Sequence, residues 1–278
     1  MQSESLKRSG GAANETRRRI PIITYHSIDD SGSIISTSPE LFRRQIATLS
    51  EEGYRSVSLG DLAGSLRTGS WPRQRSVVLT FDDGFENFIT KAAPILSEYS
   101  FSATVFLVTE KCGGFNEWPG NPPDLPRSRL LSWSQVKELS AAGFEFGSHT
   151  LTHPDLTVMA AERSAEEISR SKRTIEDLIG ARVVSFAYPF GRISPSIRTM
   201  VEEIYAVACS TNLGRTSPLS DVHSLERIDA YYLSDPNSLR KLESPLMDGY
   251  FACRQVLRNL RNRVSRSYAR ASYAAPNN

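Results

Sequence analysis

Short apolar runs alternate along this chain with longer segments in which apolar residues recur every three or four positions. The short runs predict buried strands, which cover residues 20–25, 56–58, 77–79, 103–108, 144–146, 185–187, 206–209 and 224–228. The longer segments predict helices, over residues 39–53, 59–66, 87–99, 133–143, 157–180, 195–204 and 236–242. Regular alternation of strand and helix is typical of parallel α/β sheets and barrels, so an α/β fold is expected.

Two adjacent carboxylates close one of the predicted strands. Residues 76–84 have the sequence SVVLTFDDG, which places Asp82 and Asp83 where the apolar run ends. Neighbouring carboxylates raise each other's pKa and burial penalises both. A metal ion would relieve this, because one carboxylate could bind it while the other acts as a base. The alternative is a strand-to-turn junction in which Asp83 and Gly84 form a tight turn.

Two of the four histidines, His149 and His153, are four residues apart just after the predicted strand 144–146. On a helical turn or in a tight loop, this spacing lets two imidazoles converge on one ion. Together with one carboxylate they would leave a fourth position open for water, which is the ligand count of a catalytic zinc site. The alternative is a pair of surface histidines in a polar loop.

The sequences TFDDG at 80–84, SHTLTH at 148–153 and SFAYPFG at 185–191 follow one another in an order that resembles a known family. They are similar to the motifs of the polysaccharide deacetylases of carbohydrate esterase family 4, the NodB-homology group. The resemblance covers about residues 20–229. It implies a distorted (β/α) barrel with its site at the C-terminal ends of the strands. It also implies hydrolysis of N-acetyl groups on N-acetylglucosamine-containing oligo- or polysaccharides, with release of acetate.

The resemblance also implies roles for individual residues. Asp82 corresponds to the catalytic base. The metal ligands correspond to Asp83, His149 and His153, and they imply a divalent ion, Zn²⁺ first, with Co²⁺ and Ni²⁺ as alternatives. The acetamide pocket is bordered by Tyr188, Pro189 and Phe190. The backbone N–H of Phe190 resembles the family's second oxyanion donor, beside the metal.

The chain departs from the common family pattern in two places. The residue before the Tyr-Pro of the third motif, commonly arginine, is Ala187. Whatever orients Asp82 must therefore come from elsewhere, and Arg227 is a candidate only because it lies near a predicted strand end. The usual late histidine is absent, since no histidine follows His223, which lies in a polar stretch predicted to be an exposed loop. Both departures resemble the subgroup of exopolysaccharide and poly-β-1,6-N-acetylglucosamine deacetylases, in which a histidine ahead of the first motif is the acid; His26 fits that position.

Two other kinds of function compete with this interpretation. A different metal amidohydrolase or an O-acetyl esterase would use the same residues on another acyl group. A carbohydrate-binding relic would retain the fold without activity, but the intact aspartate and histidine pairs argue against it. The helix predicted at 157–180 carries no predicted chemistry. Segment 109–129, with four prolines and three glycines, is predicted to be a substrate-lining loop or a flexible insertion.

The net charge of +2 is unevenly distributed along the chain. Residues 1–19 carry a net charge of +3, and residues 254–278 carry six arginines and no acid, which leaves residues 20–253 at −7. The body therefore gives no indication of nucleic-acid binding. The predicted organisation is a disordered basic tail at 1–19, a deacetylase domain at 20–248 and a basic tail at 249–278.

The C-terminal tail has a helical pattern among its arginines. Its apolar positions fall on one helical face, at Val256, Leu257, Leu260, Val264 and Tyr268. Such a helix can lie on an anionic membrane surface, or it can be a solvated tail packed lightly on its own domain, which is the favoured interpretation.

The remaining features concern the cellular compartment. The three cysteines are widely spaced and predict reduced thiols rather than a disulfide framework. The N-terminus lacks an apolar run of signal-peptide length, and no stretch approaches eighteen apolar residues. Taken literally, these features predict a cytoplasmic protein, with peripheral membrane association through the tail as an additional expectation.

Overall fold

Parallel strands form a closed barrel at the centre of the molecule. The computed structural model describes residues 19–122 and 124–273. For residues 236 and 261–273 it describes the backbone alone. The barrel strands are β1 (Ile22–Tyr25), β5 (Ser76–Phe81), β6 (Thr104–Leu107), β7 (Glu145–Ser148), β8 (Ser185–Ala187), β9 (Val207–Leu213) and β10 (Leu225–Asp229). They pair in the order β1-β10-β9-β8-β7-β6-β5, and β1 also pairs with β5, which closes the ring. A short outer strand, β4 (Arg55–Ser56), extends β5, and β2 (Ser27–Ile28) pairs with β3 (Ser36–Thr37).

Helices in the described residues follow the strands and form the outer layer. Their bounds are α1 Pro39–Glu51, α2 Leu59–Thr68, α3 Ala93–Glu98, α4 Trp133–Ala141, α5 Ala161–Ile179, α6 Pro195–Ile204, α7 Pro236–Arg240 and α8 Pro245–Tyr273. Several begin with a serine whose side chain accepts the backbone N–H of the third helical residue, as Ser38, Ser132 and Ser194 do. None of the described helices is both long and apolar enough to cross a bilayer.

Successive side chains along each strand point alternately into two separate hydrophobic cores. One set of side chains, including Ile23, Leu79 and Val105, packs with the helices into the large outer core. The other set, including Val78 and Phe106, packs inside the barrel together with Leu59 and Leu62 of α2. The α2 backbone lies beside the first residue of β7, since Gly60 N–H donates to Glu145. Helix α2 therefore closes the N-terminal end of the barrel, which leaves the C-terminal end for a site.

The predicted (β/α) barrel is confirmed, with local differences in the elements. Residues 87–99 were expected to form one helix, but Phe88–Ala92 forms a π-helical turn before α3. Pro94 explains the change, because it has no N–H to donate to the preceding turn. The pair β2 and β3 was not predicted, because each strand is only two residues long.

The structure describes the two ends of the chain only in part. The tail predicted at 1–19 lies outside the described residues, except for Arg19. The predicted boundary after residue 248 falls inside α8, and Phe251 beyond it is buried in the outer core. The packed body therefore continues into the first turns of the predicted tail.

Candidate active site

Asp82 follows β5 and lies at the C-terminal end of the barrel interior. It lies on the same face of the strand as Val78, in the barrel core, and Thr80. The hydroxyl of Thr80 is 3.0 Å from that of Thr24 on β1. Both carboxylate oxygens of Asp82 accept hydrogen bonds from Arg227, Oδ1 from Nη1 and Oδ2 from Nη2, each at 2.7 Å. Asp82 is therefore held by a two-point ion pair inside the barrel.

The environment of this pair keeps Asp82 ionised. Burial by itself would raise the pKa of Asp82, but the charge and hydrogen bonds of Arg227 outweigh it and hold that pKa well below its usual range. Arg227 is itself buried on β10, and its Nε donates to the carbonyl of Ser210 at 2.9 Å. The arginine thus has a fixed orientation as well as a fixed charge.

Asp83 points away from Asp82 because its backbone is left-handed. Its φ is +71°, and that of Gly84 is +72°. Asp83 Oδ1 is buried and has no hydrogen-bond partner among the described residues. Burial raises the pKa of Asp83, and the nearby charge of Asp82 adds to that effect. A buried carboxylate oxygen without a donor is suited to bind a cation or a water molecule.

His149 and His153 face this orphaned oxygen. Each Nε2 is 3.6 Å from Asp83 Oδ1, and the two Nε2 atoms are 3.2 Å apart. His149 Nδ1 lies 2.7 Å from the carbonyl of Ala187, which can only accept a hydrogen bond, so Nδ1 is the donor and Nε2 faces Asp83. Burial, and then His149, hold the pKa of His153 well below its usual range, so its imidazole is neutral.

These three side chains fit a divalent metal ion. One ligand atom from each of Asp83, His149 and His153 lies within 4.8 Å of the others, and all three residues are buried. One carboxylate oxygen and two imidazole nitrogens form a donor set that zinc and similar ions accept, with a position left for water.

The loop that carries the two histidines is held by a residue that the sequence did not reveal. Thr150 and His153 have φ values of +71° and +62°, so the loop is a tight turn rather than a helix. Glu167 on α5 accepts hydrogen bonds from the backbone N–H groups of Leu151 and Thr152 and from the Thr152 hydroxyl, at 2.7–3.0 Å. An acid on the buried face of α5 was the available signal, and the prediction for 157–180 overlooked it.

His26 lies at the end of β1 on the open side of Asp82. Its Nε2 is 3.9 Å from Asp82 Oδ2, and its side chain is 24% exposed, against 5% for Asp82. His26 therefore reaches both the carboxylate and solvent. His223, in contrast, is buried rather than in an exposed loop as predicted. Its Nε2 is 3.0 Å from the carbonyl of Tyr205 in the segment that precedes β9.

The third motif forms a turn beside the histidines. Phe190 has φ +56°, and its ring contacts that of His153 at a centroid distance of 4.6 Å. Within this turn, the side chain of Tyr188 faces the outer core rather than His153. Its ring packs on Phe186 in the outer core and its hydroxyl donates to the His223 carbonyl, because residue 188 continues the outward alternation of β8.

An aromatic residue from segment 109–129 completes the wall around His153. Trp118 lies with its ring centroid 4.7 Å from that of His153, and its Nε1 is buried without a partner among the described residues. Gly120 packs against the ring of Phe190. Segment 109–129 therefore lines the site, which agrees with the first of its two predicted alternatives, a substrate-lining loop.

A closed parallel barrel with this cluster at the C-terminal ends of its strands has the layout of a (β/α)-barrel enzyme. Residues 70–206 match the family model of the polysaccharide deacetylases. The chain belongs to the polysaccharide deacetylase family and is a hydrolase acting on carbon–nitrogen bonds other than peptide bonds.

Similar proteins span different shares of this chain. YxkH of Bacillus subtilis, named as a polysaccharide deacetylase, is 24% identical over 229 residues, which are 82% of this chain and 77% of that protein. The poly-β-1,6-N-acetyl-D-glucosamine N-deacetylase of Escherichia coli K12 is 30% identical over 141 residues, 46% of this chain but only 20% of that protein. The Streptococcus pyogenes deacetylase PplD, solved with acetate, has a TM-score of 0.73 and 27% identity, covering 82% of this chain and 99% of that one.

Proposed function

We propose that this chain is a metal-dependent deacetylase that removes N-acetyl groups from an N-acetylglucosamine-containing exopolysaccharide. The observation that carries the proposal is that two adjacent acids have different surroundings. Asp82 is ion-paired with Arg227, whereas Asp83 is turned toward His149 and His153 with an oxygen left unpaired.

The metal site would be formed by Asp83, His149 and His153. A divalent ion bound there supplies Lewis acidity toward a water molecule and toward the acetamide carbonyl. Asp82 then accepts the proton of the attacking water, since its ionised carboxylate is held at the barrel mouth. Arg227 keeps Asp82 charged and fixes its two oxygens, which is the role that an arginine at position 187 would otherwise have.

The remaining steps fall to residues on the open side of the site. The backbone N–H of Phe190, in the turn Pro189–Gly191, donates to the oxyanion that develops as water attacks the acetamide. His26 donates a proton to the departing amine, because it lies beside Asp82 and is the more exposed of the two. Trp118 and Phe190 enclose His153 and exclude water from that side.

The substrate class rests on the relatives and on His26. The E. coli relative is named for poly-β-1,6-N-acetyl-D-glucosamine. A protein of the same name from Staphylococcus epidermidis is 24% identical over 230 residues, 76% of its length. The proton donor ahead of the first motif is the arrangement that this subgroup resemblance implies. These points favour a β-1,6-linked polymer over chitin fragments, peptidoglycan or acetylated xylan.

Acetate release tests the proposal. Purified protein loaded with Zn²⁺, Co²⁺ or Ni²⁺ is assayed on oligomers of β-1,6-linked and β-1,4-linked N-acetylglucosamine, on peptidoglycan fragments and on acetylated xylan. The expected result is metal-dependent release, fastest from the β-1,6-linked oligomers. Faster release from acetylated xylan would assign an O-acetyl esterase. No release from any substrate, by metal-loaded protein with a native melting curve, would contradict the proposed deacetylase.

A further inference from the structure

Helix α8 is held on the barrel by one face. Phe251 is buried in the outer core, and Asp248 forms a two-point ion pair with Arg215 at 2.9 and 2.7 Å. One turn further on, the side-chain oxygen of Gln255 accepts the backbone N–H of Leu213 at 2.7 Å, and Arg258 donates to the carbonyl of Thr211 at 2.9 Å. These residues recur every three or four positions, so they define one packed face.

The opposite face of α8 is apolar and exposed. Its large side chains, which are 41–83% exposed, are Leu246, Tyr250, Val256, Leu257 and Leu260. They account for five of the nine exposed large hydrophobic side chains in the described residues. Such residues are ordinary when scattered, but a stripe along one helix indicates a binding surface. In the sequence, Val264 and Tyr268 continue the same spacing.

The charge around this stripe identifies the kind of surface that it fits. Residues 254–278 carry six arginines and no acidic residue. Arg254, beside the stripe, lies over the rings of Tyr232 and Tyr250 with its guanidinium 5.2 and 5.9 Å from their centroids. A partner must therefore be apolar in one layer and negatively charged just above it, which describes the interface of an anionic lipid bilayer.

Two other partners fit the stripe less well. A second copy of this chain would bring two arginine-rich segments together, and their repulsion would oppose burial of the stripe. A nucleic acid would satisfy the arginines but would leave Val256, Leu257 and Leu260 in water. The chain's own barrel already occupies the opposite face of the helix.

We infer that α8 docks the enzyme on anionic membrane surfaces, with the Leu246–Leu260 stripe in the lipid interface and the arginines among the headgroups. The helix lies in the plane of the interface and does not cross the bilayer. The inference is independent of the proposed reaction, because no residue of the stripe belongs to the candidate active site.

Vesicle binding by the full-length chain tests the inference. Cosedimentation compares vesicles of phosphatidylcholine with vesicles that contain a third of phosphatidylglycerol. The test variant is Val256→Ser/Leu257→Ser/Leu260→Ser, and the control is Ile34→Ser/Leu219→Ser, which removes apolar side chains that are even more exposed but lie outside α8. Thermal melting and acetate release from a soluble oligomer report on the fold and the active site of each protein.

The wild type and the control should bind anionic vesicles at least tenfold more tightly than neutral ones, and added salt should weaken the binding. The triple variant should lose at least tenfold in partitioning while it keeps its melting temperature and its activity. Equal binding by wild type and triple variant would overturn the inference, as would the absence of binding by wild type. A dimer that the triple substitution dissociates, without vesicle binding, would assign the stripe to a second copy instead.

Discussion

At the scale of single residues, two adjacent aspartates differ because their backbones differ. Asp82 continues the strand and meets Arg227, whereas the left-handed φ of Asp83 turns its carboxylate toward two imidazoles. The carboxylate of Asp82 therefore has a fixed positive partner, whereas the carboxylate of Asp83 has an oxygen without a hydrogen-bond partner among the described residues. This difference is the basis for assigning them separate roles.

Exchange of each aspartate for asparagine should separate these roles. Asp82→Asn should bind metal like wild type but lose about a hundredfold or more in kcat, the range for removal of a general base. Asp83→Asn should lose the metal itself, because an amide oxygen is a weaker ligand than a carboxylate. Elemental analysis and acetate release measure the two effects, and metal contents equal to wild type in both variants would disprove the ligand assignment.

His26 is the proposed proton donor. His26→Ala should keep the fold and the metal but lose about a hundredfold in turnover, as expected for removal of a general acid. The loss should shrink on substrates with a better leaving group, which departs without a proton. His223→Ala is the matched control, because His223 is buried beside Tyr205. If the control variant is inactive and stably folded while His26→Ala is nearly normal, the donor assignment is wrong.

Arg227→Lys tests how Asp82 is kept ionised. Burial raises the pKa of Asp82 and Arg227 lowers it by more, so the folded pKa is depressed and the stabilising contribution of the charge is lost only at low pH. Lysine offers a point charge without the two-point hydrogen bonds. The acid limb of kcat/KM should therefore move to higher pH by about one unit, the value of one charge-assisted hydrogen bond. An unchanged acid limb would show that Arg227 acts only on the fold.

At the scale of elements, short turns rather than whole helices position the site. The histidine turn is held by Glu167 of α5, and the Pro189–Gly191 turn is held by contact with β9. A side chain added at Gly191 would overlap Thr211, and the φ of Gly191 is +63°. The turn that carries Phe190 therefore depends on a glycine at this position.

Gly191→Ala should displace the Phe190 amide and lower kcat roughly tenfold or more without loss of metal, since small misplacements of catalytic groups have large effects on rate. Gly180→Ala is the matched control. It has a similar φ of +69° at the end of α5, but no atom lies within 4 Å of an added Cβ. Both variants should lose about 1 kcal/mol of stability through the backbone, and only Gly191→Ala should lose activity. Equal kcat values in the two variants would reject the positioning role of the turn.

At the scale of the whole molecule, the alternation of strands and helices predicted the barrel, and the motifs predicted the residues that converge. Periodicity works here because parallel barrel strands are buried on both faces and most of them are followed by a helix. It could not show that Arg227 meets Asp82, because that contact joins residues 145 positions apart through the closure of the barrel. The hydrophobic pattern also did not show that the ring of Tyr188 points outward or that His223 is buried. Both properties depend on which face of a strand or loop packs against the rest of the protein.

The central claim is that acetate release depends on a metal ion held by Asp83, His149 and His153. The most direct test is titration of metal-free protein with Zn²⁺, with acetate release from a β-1,6-linked N-acetylglucosamine oligomer measured at each addition. Activity should rise in proportion to added metal and reach a plateau at one ion per chain, and Asp83→Asn should show no such rise. Full activity in protein shown to be metal-free by elemental analysis would contradict the account.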